Sequence, residues 1–272
     1  SDIESMDIDY ETDFIIAETL HKELEWKNEK VVLITGCSGG IGIELCHIFK
    51  RKGWIVVGTS RQECKSKFID FSIVEDLSKE DAAKKIIKKI KDKYNRLDCI
   101  VHNAAIQICK SVEDYTLQDW MVTFQVNVFI IQQFVKESLD LLKKTKGNIV
   151  NIGSVHSINT SEKISSYATS KAAIAGLTRN LCLDLGKHQI RVNSISPGAV
   201  DTPMLREGLL RGGDDIDILL KKFKEKHILG DIGKPIEIAK LVEFIANDNN
   251  GRFLNGSNII IDGGVSARLS TE

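Results

Sequence analysis

The chain has 272 residues, of which 42% are hydrophobic and 28% are charged, which is the composition of an ordinary soluble globule. Its length suits one large α/β domain or two small ones. No apolar run approaches the roughly 18 residues that a membrane helix needs, so we expect no transmembrane segment. The acidic start has neither the basic and apolar pattern of a secretory signal nor the Arg-rich pattern of a transit peptide.

The six cysteines are scattered, with no C-x-x-C pair: Cys37, Cys46, Cys64, Cys99, Cys109 and Cys182. Such spacing argues against a zinc site and against a disulfide framework. We therefore expect no bound metal, and single thiols without a signal peptide favour a cytoplasmic location.

The formal net charge of −1 conceals an asymmetry between the start of the chain and the rest. Residues 1–25 carry nine acids and one base, Lys22, so the remainder carries a net charge of +7. A mildly basic body suits an anionic ligand. It lacks the basic and aromatic interleaving of a nucleic-acid surface, so we expect no nucleic-acid partner.

Residues 1–27 are interpreted as an acidic N-terminal arm, and residues 28–272 as one domain. Apolar residues at Ile16, Leu20 and Leu24 have i+4 spacing, which predicts a short amphipathic helix from about Thr12 to Glu25. We expect the first ten residues of this arm to be disordered.

From Lys30 onward, short β-branched runs alternate with segments of helical length. The runs predict buried strands at Val31–Thr35, Trp54–Gly58, Phe71–Val74, Cys99–His102, Asn148–Ile152, Arg191–Ser196 and Ser257–Ile261. Intervening helices are predicted, for instance, at Ile41–Lys52, Lys79–Tyr94 and Leu117–Lys144. This alternation predicts an α/β fold in a single domain, a doubly wound parallel sheet with helices on both faces.

A glycine-rich turn joins the first predicted strand to the first helix. Glycines at positions 36, 40 and 42 let the backbone turn tightly and approach a ligand with no Cβ in the way. The free N–H groups and positive end of the helix then face that ligand, which favours a phosphate. The turn thus predicts a nucleotide site that includes Ser38 and Ile41.

The spacing Thr-Gly-x-x-x-Gly-x-Gly resembles that of the short-chain dehydrogenase/reductase family, and the resemblance covers about residues 28–265. His102-Asn103-Ala104-Ala105 resembles the family's N-N-A-G motif. Here His102 replaces the first Asn and Ala105 the Gly, which leaves Asn103 in place. The family implies a Rossmann-type fold that binds NAD or NADP.

Further segments match the family in order and spacing. The resemblance implies that Asp76 and Leu77 contact the adenine and that Asn103 and Ala104 also contact the cofactor. It places Pro197, Gly198 and Thr202 in the segment that closes over the nicotinamide. Asp262-Gly263-Gly264 matches the family's C-terminal ending.

The end of the second predicted strand bears on which dinucleotide is bound. A carboxylate there would bind the ribose 2′-hydroxyl of NAD and repel a 2′-phosphate. Ser60 occupies that position and Arg61 follows it, and a guanidinium pairs well with phosphate. An exposed Arg at the start of a loop is the plainer alternative, and no basic residue precedes Gly40. We expect NADP(H) to be preferred, with NAD(H) as the alternative.

Tyr167 and Lys171 lie one turn apart on one predicted helix face. The pair gains specificity from Ser154, thirteen residues before Tyr167, and from Asn127 upstream. The resemblance implies that Asn127, Ser154, Tyr167 and Lys171 form the family's catalytic tetrad. A solvent-facing Tyr and Lys on an ordinary helix is the alternative.

The chemistry explains these residue types. Hydride transfer to a carbonyl carbon leaves negative charge on oxygen, which must be protonated, and Tyr167 would serve as general acid or base. The ammonium of Lys171 is expected to lower the pKa of Tyr167. By family analogy Lys171 also holds the nicotinamide ribose. Ser154 would donate to the substrate oxygen, and Asn127 would support a proton-relaying water chain.

Two further features bear on the substrate. His156 follows Ser154 by two residues and could reach the substrate, although a loop histidine with no ligand role is the favoured interpretation. The stretch Met204–Phe223 resembles the family's variable substrate lid, with Gly212-Gly213 as a hinge. Its apolar residues either line a pocket or pack on the domain.

The sequence thus predicts an NADP(H)-dependent oxidoreductase that interconverts a ketone or aldehyde and a secondary alcohol. Its partner is a small carbonyl or alcohol substrate. One alternative is an NAD-dependent alcohol or sugar dehydrogenase, and another is a dinucleotide-binding sensor without turnover. Family resemblance and the small residues at 168, 172, 173, 175 and 176 predict a homotetramer, with a homodimer as fallback.

Overall fold

The computed structural model describes residues 29–210 and 216–267. Within them, seven parallel strands form one sheet in the order β3-β2-β1-β4-β5-β6-β7. The strands are β1 (Val31–Thr35), β2 (Ile55–Ser60), β3 (Phe71–Val74), β4 (Cys99–His102), β5 (Asn148–Ile152), β6 (Arg191–Pro197) and β7 (Asn258–Ile261). The predicted α/β sheet is confirmed.

Helices connect the strands and cover both faces of the sheet. They are α1 (Gly40–Arg51), α2 (Ala82–Tyr94), α3 (Leu117–Phe124), α4 (Ile130–Thr145), α5 (Ser165–Gly186), α6 (Pro203–Leu210), α7 (Ile216–Lys226), α8 (Pro235–Ala246) and α9 (Asp248–Gly251). Short 3₁₀ turns occur at Val112–Asp114 and Val155–Ser157.

The core consists of two apolar layers, one on each face of the sheet. Side chains alternate along β1, so that Val31 and Leu33 pack with α2, α4 and α5, whereas Val32 and Ile34 pack with α1 and α8. Because both faces are covered, the central strands are buried at every position, as expected of parallel strands.

Several helix ends follow from the local sequence. Thr116 accepts a hydrogen bond from the Asp119 backbone N–H while the Asp119 carboxylate accepts one from Thr116, which forms a capping box at the start of α3. Pro235 begins α8, where its missing N–H costs nothing. Asn95 ends α2 in the left-handed conformation, with φ of 48°.

The structure differs from several predicted boundaries, and in three elements by more than one residue. The predicted helix Leu117–Lys144 is not continuous, because a π-helical turn at Gln125–Phe129 separates α3 from α4. Strand β2 begins at Ile55 and extends to Ser60, since its last residues pair with the end of β3. Helix α2 begins at Ala82 rather than Lys79.

The predicted arm at residues 1–27 and the hinge Gly212-Gly213 lie outside the described residues. Within the ranges described, no helix combines the length and apolar character needed to cross a bilayer.

Candidate active site

A cleft of about 1000 Å³ opens at the carboxyl ends of the parallel strands. It spans the point between β1 and β4 where the strand order reverses, since the chain runs outward from β1 to β3 on one side and from β4 on the other. In open parallel sheets ligands bind at this switch point. Every residue predicted to contact the cofactor lines the cleft except Gly42.

The glycine-rich turn forms one wall of the cleft. Gly36 has φ of 67°, and a Cβ there would lie 2.9 Å from the Cα of Ala104. A Cβ on Gly40 would lie 2.9 Å from the Thr202 methyl group. Gly42 lies beneath the turn, where a Cβ would come within 2.0 Å of the Gly36 carbonyl oxygen. Gly42 therefore lets α1 pack on the turn.

The amino end of α1 faces the cleft through Gly39, Gly40 and Ile41, with Ser38 beside them. The first turn of this helix contains no acidic residue. Its backbone N–H groups and positive dipole end are therefore available for an anionic group. This cradle of glycines at a helix terminus fits the pyrophosphate of a dinucleotide.

Ser60, Arg61, Asp76 and Leu77 line the cleft beyond the ends of β2 and β3. Ser60 accepts from the Cys37 thiol at 3.6 Å and donates to the Gln62 carbonyl. Hydrogen bonding from the Ser78 backbone N–H is the largest cause that lowers the pKa of Asp76, and the charge of Arg61 contributes. Arg61 is itself exposed to solvent.

Asn103 lines the cleft and also stabilises its wall through hydrogen bonds. Its amide nitrogen donates to the carbonyls of Thr35 at 3.0 Å and Gly36 at 3.1 Å. Its backbone N–H and that of Ala104 donate to the Thr35 hydroxyl. The side chain therefore ties the end of β4 to the glycine-rich turn, whatever it contacts in a complex.

His102 stands where the family motif has Asn, but its side chain forms no hydrogen bond to the glycine-rich turn. Its imidazole packs against Phe134 with 5.4 Å between ring centroids, and neither nitrogen has a partner. Burial lowers the pKa of His102 to about 3, so the ring is neutral at physiological pH.

Three of the four predicted catalytic residues meet on the cleft wall. Ser154 follows β5, and Tyr167 and Lys171 lie on the first turns of α5. All three are buried, with Lys171 only 3% exposed. The Lys171 ammonium donates to the Ile152 carbonyl at 2.7 Å and lies 5.5 Å from the centroid of the Tyr167 ring.

Burial determines the electrostatics of this group. It raises the pKa of Tyr167 to about 12, an effect that a hydrogen bond with Ser154 partly offsets. It lowers the pKa of Lys171 to about 8. The expected lowering of the Tyr167 pKa by Lys171 is therefore not seen in the protein alone, where desolvation of the phenol is the largest cause of the shift.

Asn127 lies behind the cleft wall, in the π-helical turn. Its amide donates to the Ile106 carbonyl at 3.0 Å and the Ser170 hydroxyl at 2.9 Å, and its oxygen accepts from the Ile106 N–H at 2.9 Å. It thus joins the segment after β4 to α5, the helix that carries Tyr167 and Lys171.

The lid stretch contributes Leu205, Leu209 and Phe223 to the cleft wall. His227, which no sequence pattern marks, also lines the cleft after α7 and bonds through Nδ1 to the Phe223 carbonyl at 2.8 Å. No motif flanks His227, so only its burial in the folded chain identifies it.

Comparisons with known proteins agree with this geometry. A family model of the short-chain dehydrogenase type, described as enoyl-(acyl carrier protein) reductase, matches residues 36–266. Meso-2,3-butanediol dehydrogenase of Serratia marcescens is 32% identical over 248 residues, which cover 88% of this chain and 96% of the relative.

Two solved structures are also similar. Ligand-free aldohexose dehydrogenase of Thermoplasma acidophilum superimposes with a TM-score of 0.84 at 30% identity, covering 90% of this chain and 96% of that one. ElxO with NADP bound gives 0.79 at 27% identity, covering 88% and 100%. The chain therefore belongs to the short-chain dehydrogenase/reductase family and is an oxidoreductase of the kind that acts on CH–OH and C=O groups.

Proposed function

We propose that this protein is an NADP(H)-dependent oxidoreductase that interconverts a ketone or aldehyde and a secondary alcohol. The observation that carries the proposal is the meeting of Ser154, Tyr167 and Lys171 on the wall of a cleft that also contains a dinucleotide cradle. An acid–base hydroxyl, a second hydroxyl and an ammonium are the groups that carbonyl reduction needs.

The dinucleotide, when bound, supplies or accepts the hydride. Tyr167 is protonated at neutral pH, because its pKa is about 12, and so it holds the proton that a reduced carbonyl oxygen requires. Ser154 would donate to the same substrate oxygen. The buried Lys171 ammonium stabilises negative charge that develops at Tyr167 as its proton leaves.

Preference for NADP(H) rests on Ser60 and Arg61. Both line the cleft, and because Ser60 stands at the end of β2, that position holds no carboxylate to repel a 2′-phosphate. The similarity to ElxO, which binds NADP, supports this choice.

An NAD-dependent dehydrogenase of a sugar or alcohol is the second candidate. The similarity to enzymes named for aldohexose and for meso-2,3-butanediol favours substrates of this kind. A sensor that binds the dinucleotide without turnover is opposed by the hydroxyls of Ser154 and Tyr167 on the cleft wall beside Lys171, because an acid–base group and a donor to a substrate oxygen serve turnover rather than cofactor binding.

The test is turnover of a panel of ketones, aldehydes and secondary alcohols with NADPH and NADH, followed by reduced-nicotinamide absorbance. The Tyr167→Phe variant removes only the hydroxyl, and we expect it to lose at least about 10²-fold in kcat with NADPH binding retained. Tyr94→Phe, at the end of α2, is the matched control and should retain wild-type turnover. Near wild-type activity of Tyr167→Phe would exclude the mechanism.

A further inference from the structure

His156 stands beside the proposed reaction centre. It lies in the 3₁₀ turn that follows Ser154, and its backbone N–H donates to the Ser154 hydroxyl at 3.2 Å. Its imidazole meets the Tyr167 ring edge to face, with 5.9 Å between the ring centroids and 73° between the planes. The ring is thereby held against the Tyr167 ring, in the turn that follows Ser154.

The imidazole carries an unpaired polar atom. Nδ1 of His156 is buried and has no hydrogen-bond partner, and the residue lines the cleft. His102 also has unpaired nitrogens, but it packs against Phe134 in the core, where no ligand arrives. A buried polar atom without a partner is costly, and on a cleft wall a ligand can supply the partner.

The chemistry of a neutral ring limits what that partner can be. Burial lowers the pKa of His156, so the imidazole is neutral at physiological pH. A neutral imidazole has one N–H donor and one acceptor nitrogen, and either can pair with an uncharged oxygen. A hydroxyl suits both tautomers, because it donates and accepts.

The position of the His156 ring determines which part of the substrate can form a hydrogen bond with it. The reacting oxygen must lie between the hydroxyls of Ser154 and Tyr167, and His156 contacts the residues that carry both. A substrate group that reaches this ring while the carbonyl stays in place must be attached close to the reacting carbon.

We propose that Nδ1 of His156 binds a second oxygen of the substrate, on the carbon next to the carbonyl, and that this contact selects α-oxygenated carbonyl compounds and their vicinal diols. The inference rests on the proposed function and names the substrate class for the same site. His156 is accordingly a specificity-determining residue, and the second oxygen is unchanged by the reaction.

The test compares substrates that differ only in that oxygen. The pairs are 3-hydroxybutan-2-one with butan-2-one, and 2-hydroxycyclohexanone with cyclohexanone. For the wild-type enzyme we expect kcat/KM to be at least about 10-fold higher for the hydroxyketone of each pair. In His156→Phe the edge-to-face contact with Tyr167 can persist while both nitrogens are lost, and the ratio within each pair should fall to about 1.

His156→Asn is the matched rescue variant. Its amide group reaches about as far as Nδ1 does, so part of the preference should return. Binding without turnover gives a second readout, in which calorimetry compares butane-2,3-diol and butan-2-ol on the complex with NADPH. The diol should bind at least about 10-fold more tightly to the wild-type protein, and equally to His156→Phe.

Equal losses for both members of a pair in His156→Phe would assign His156 a structural role and overturn the inference. A wild-type enzyme without preference for the oxygenated member would overturn it as well, and the proposed function would stand. Failure of the proposed function looks different, since no carbonyl or alcohol in the wider panel would then be turned over with either cofactor.

Discussion

At the scale of single residues, Tyr167 and Lys171 show how burial shifts the pKa values of two neighbouring groups in opposite directions, each toward its uncharged form. Burial moves the pKa of the phenol up to about 12 and that of the ammonium down to about 8. Both shifts disfavour charge, so the free protein stores no ionised pair here.

The Lys171 shift predicts a dependence of stability on pH. The unfolded chain holds the proton up to about pH 10.5 and the folded chain only to about 8, so the unfolded state binds more protons between these values. The free energy of unfolding therefore gains from this residue as pH rises through the interval. Below about pH 8 both states are charged and the gain is absent.

Lys171→Met isolates this contribution. Relative to the variant, we expect the wild-type protein to gain on the order of 3 kcal/mol between about pH 7 and pH 10.5. Tyr167 is present in both proteins, so its own titration cancels. Urea unfolding of the cofactor-free proteins measures the difference, and parallel stability curves would show that Lys171 is not desolvated in the folded state.

A second prediction for a single residue concerns Arg61 and the choice of cofactor. It is exposed and lines the cleft, so its removal should leave the fold intact. Loss of one charge-assisted hydrogen bond costs about 1.5–3 kcal/mol, so Arg61→Ala should weaken NADPH binding about 10- to 100-fold and NADH binding little. Fluorescence titration with both cofactors measures this.

Lys65→Ala is the control for this measurement, because Lys65 is a nearby exposed cation, 3.8 Å from Glu63, that does not line the cleft. It should leave both affinities unchanged. Equal weakening of the two cofactors by Arg61→Ala, or wild-type preference for NADH, would contradict the NADP(H) assignment.

At the scale of elements, helix α1 packs so closely on the glycine-rich turn that it leaves no space for a Cβ at position 42. A Cβ on Gly42 would approach the Gly36 carbonyl oxygen to 2.0 Å, so the helix or the turn must move. Gly42→Ala should lower the free energy of unfolding by about 1–3 kcal/mol and weaken dinucleotide binding. Denaturant unfolding and fluorescence titration test both effects.

Gly186→Ala provides the contrast, since a Cβ at the end of α5 would meet nothing within 4 Å. That substitution should leave stability unchanged or raise it by up to about 1 kcal/mol. If both variants behaved alike, close packing of α1 on the turn would not be what position 42 requires.

The elements also show what the sequence could and could not predict. Residues 31–34 are apolar without alternation, which indicates a strand buried on both faces, and β1 spans Val31–Thr35 as predicted. The turn at Gln125–Phe129 left no such signal, because the apolar pattern of residues 117–144 suits a continuous helix. Within this turn the buried amide of Asn127 bonds to Ile106 and Ser170, and these tertiary contacts are not visible in the sequence pattern.

Sequence motifs predict some residues of the candidate site. Other residues are brought to the site only by the fold, and the sequence does not mark them. Ser154, Tyr167 and Lys171 were identified from spacing and resemblance, and the structure places them on one wall. His227 reaches the same cleft from beyond α7, and the unpaired nitrogen of His156 is visible only once its neighbours are placed.

At the scale of the whole molecule, helices α3 to α5 leave apolar surface uncovered. Leu117, Met121 and Leu183 are 78%, 52% and 78% exposed. On α5, Ala172 is exposed, and a Cβ on Gly176 would meet nothing within 4 Å, so another helix could approach closely. Exposed apolar side chains on these helices favour a protein–protein contact there.

We propose that these helices join subunits of a homotetramer, with a homodimer as fallback. Light scattering at micromolar concentration should then give close to four times the monomer mass of 30.3 kDa. Ala172→Arg places a long charged side chain where helices would meet, and we expect a smaller assembly, because an unpaired charge buried at an interface costs several kcal/mol. Lys88→Glu, exposed on α2, should leave the mass unchanged. A wild-type protein that scatters as a monomer would refute the assembly, and the apolar surface of α3 to α5 would then need another partner.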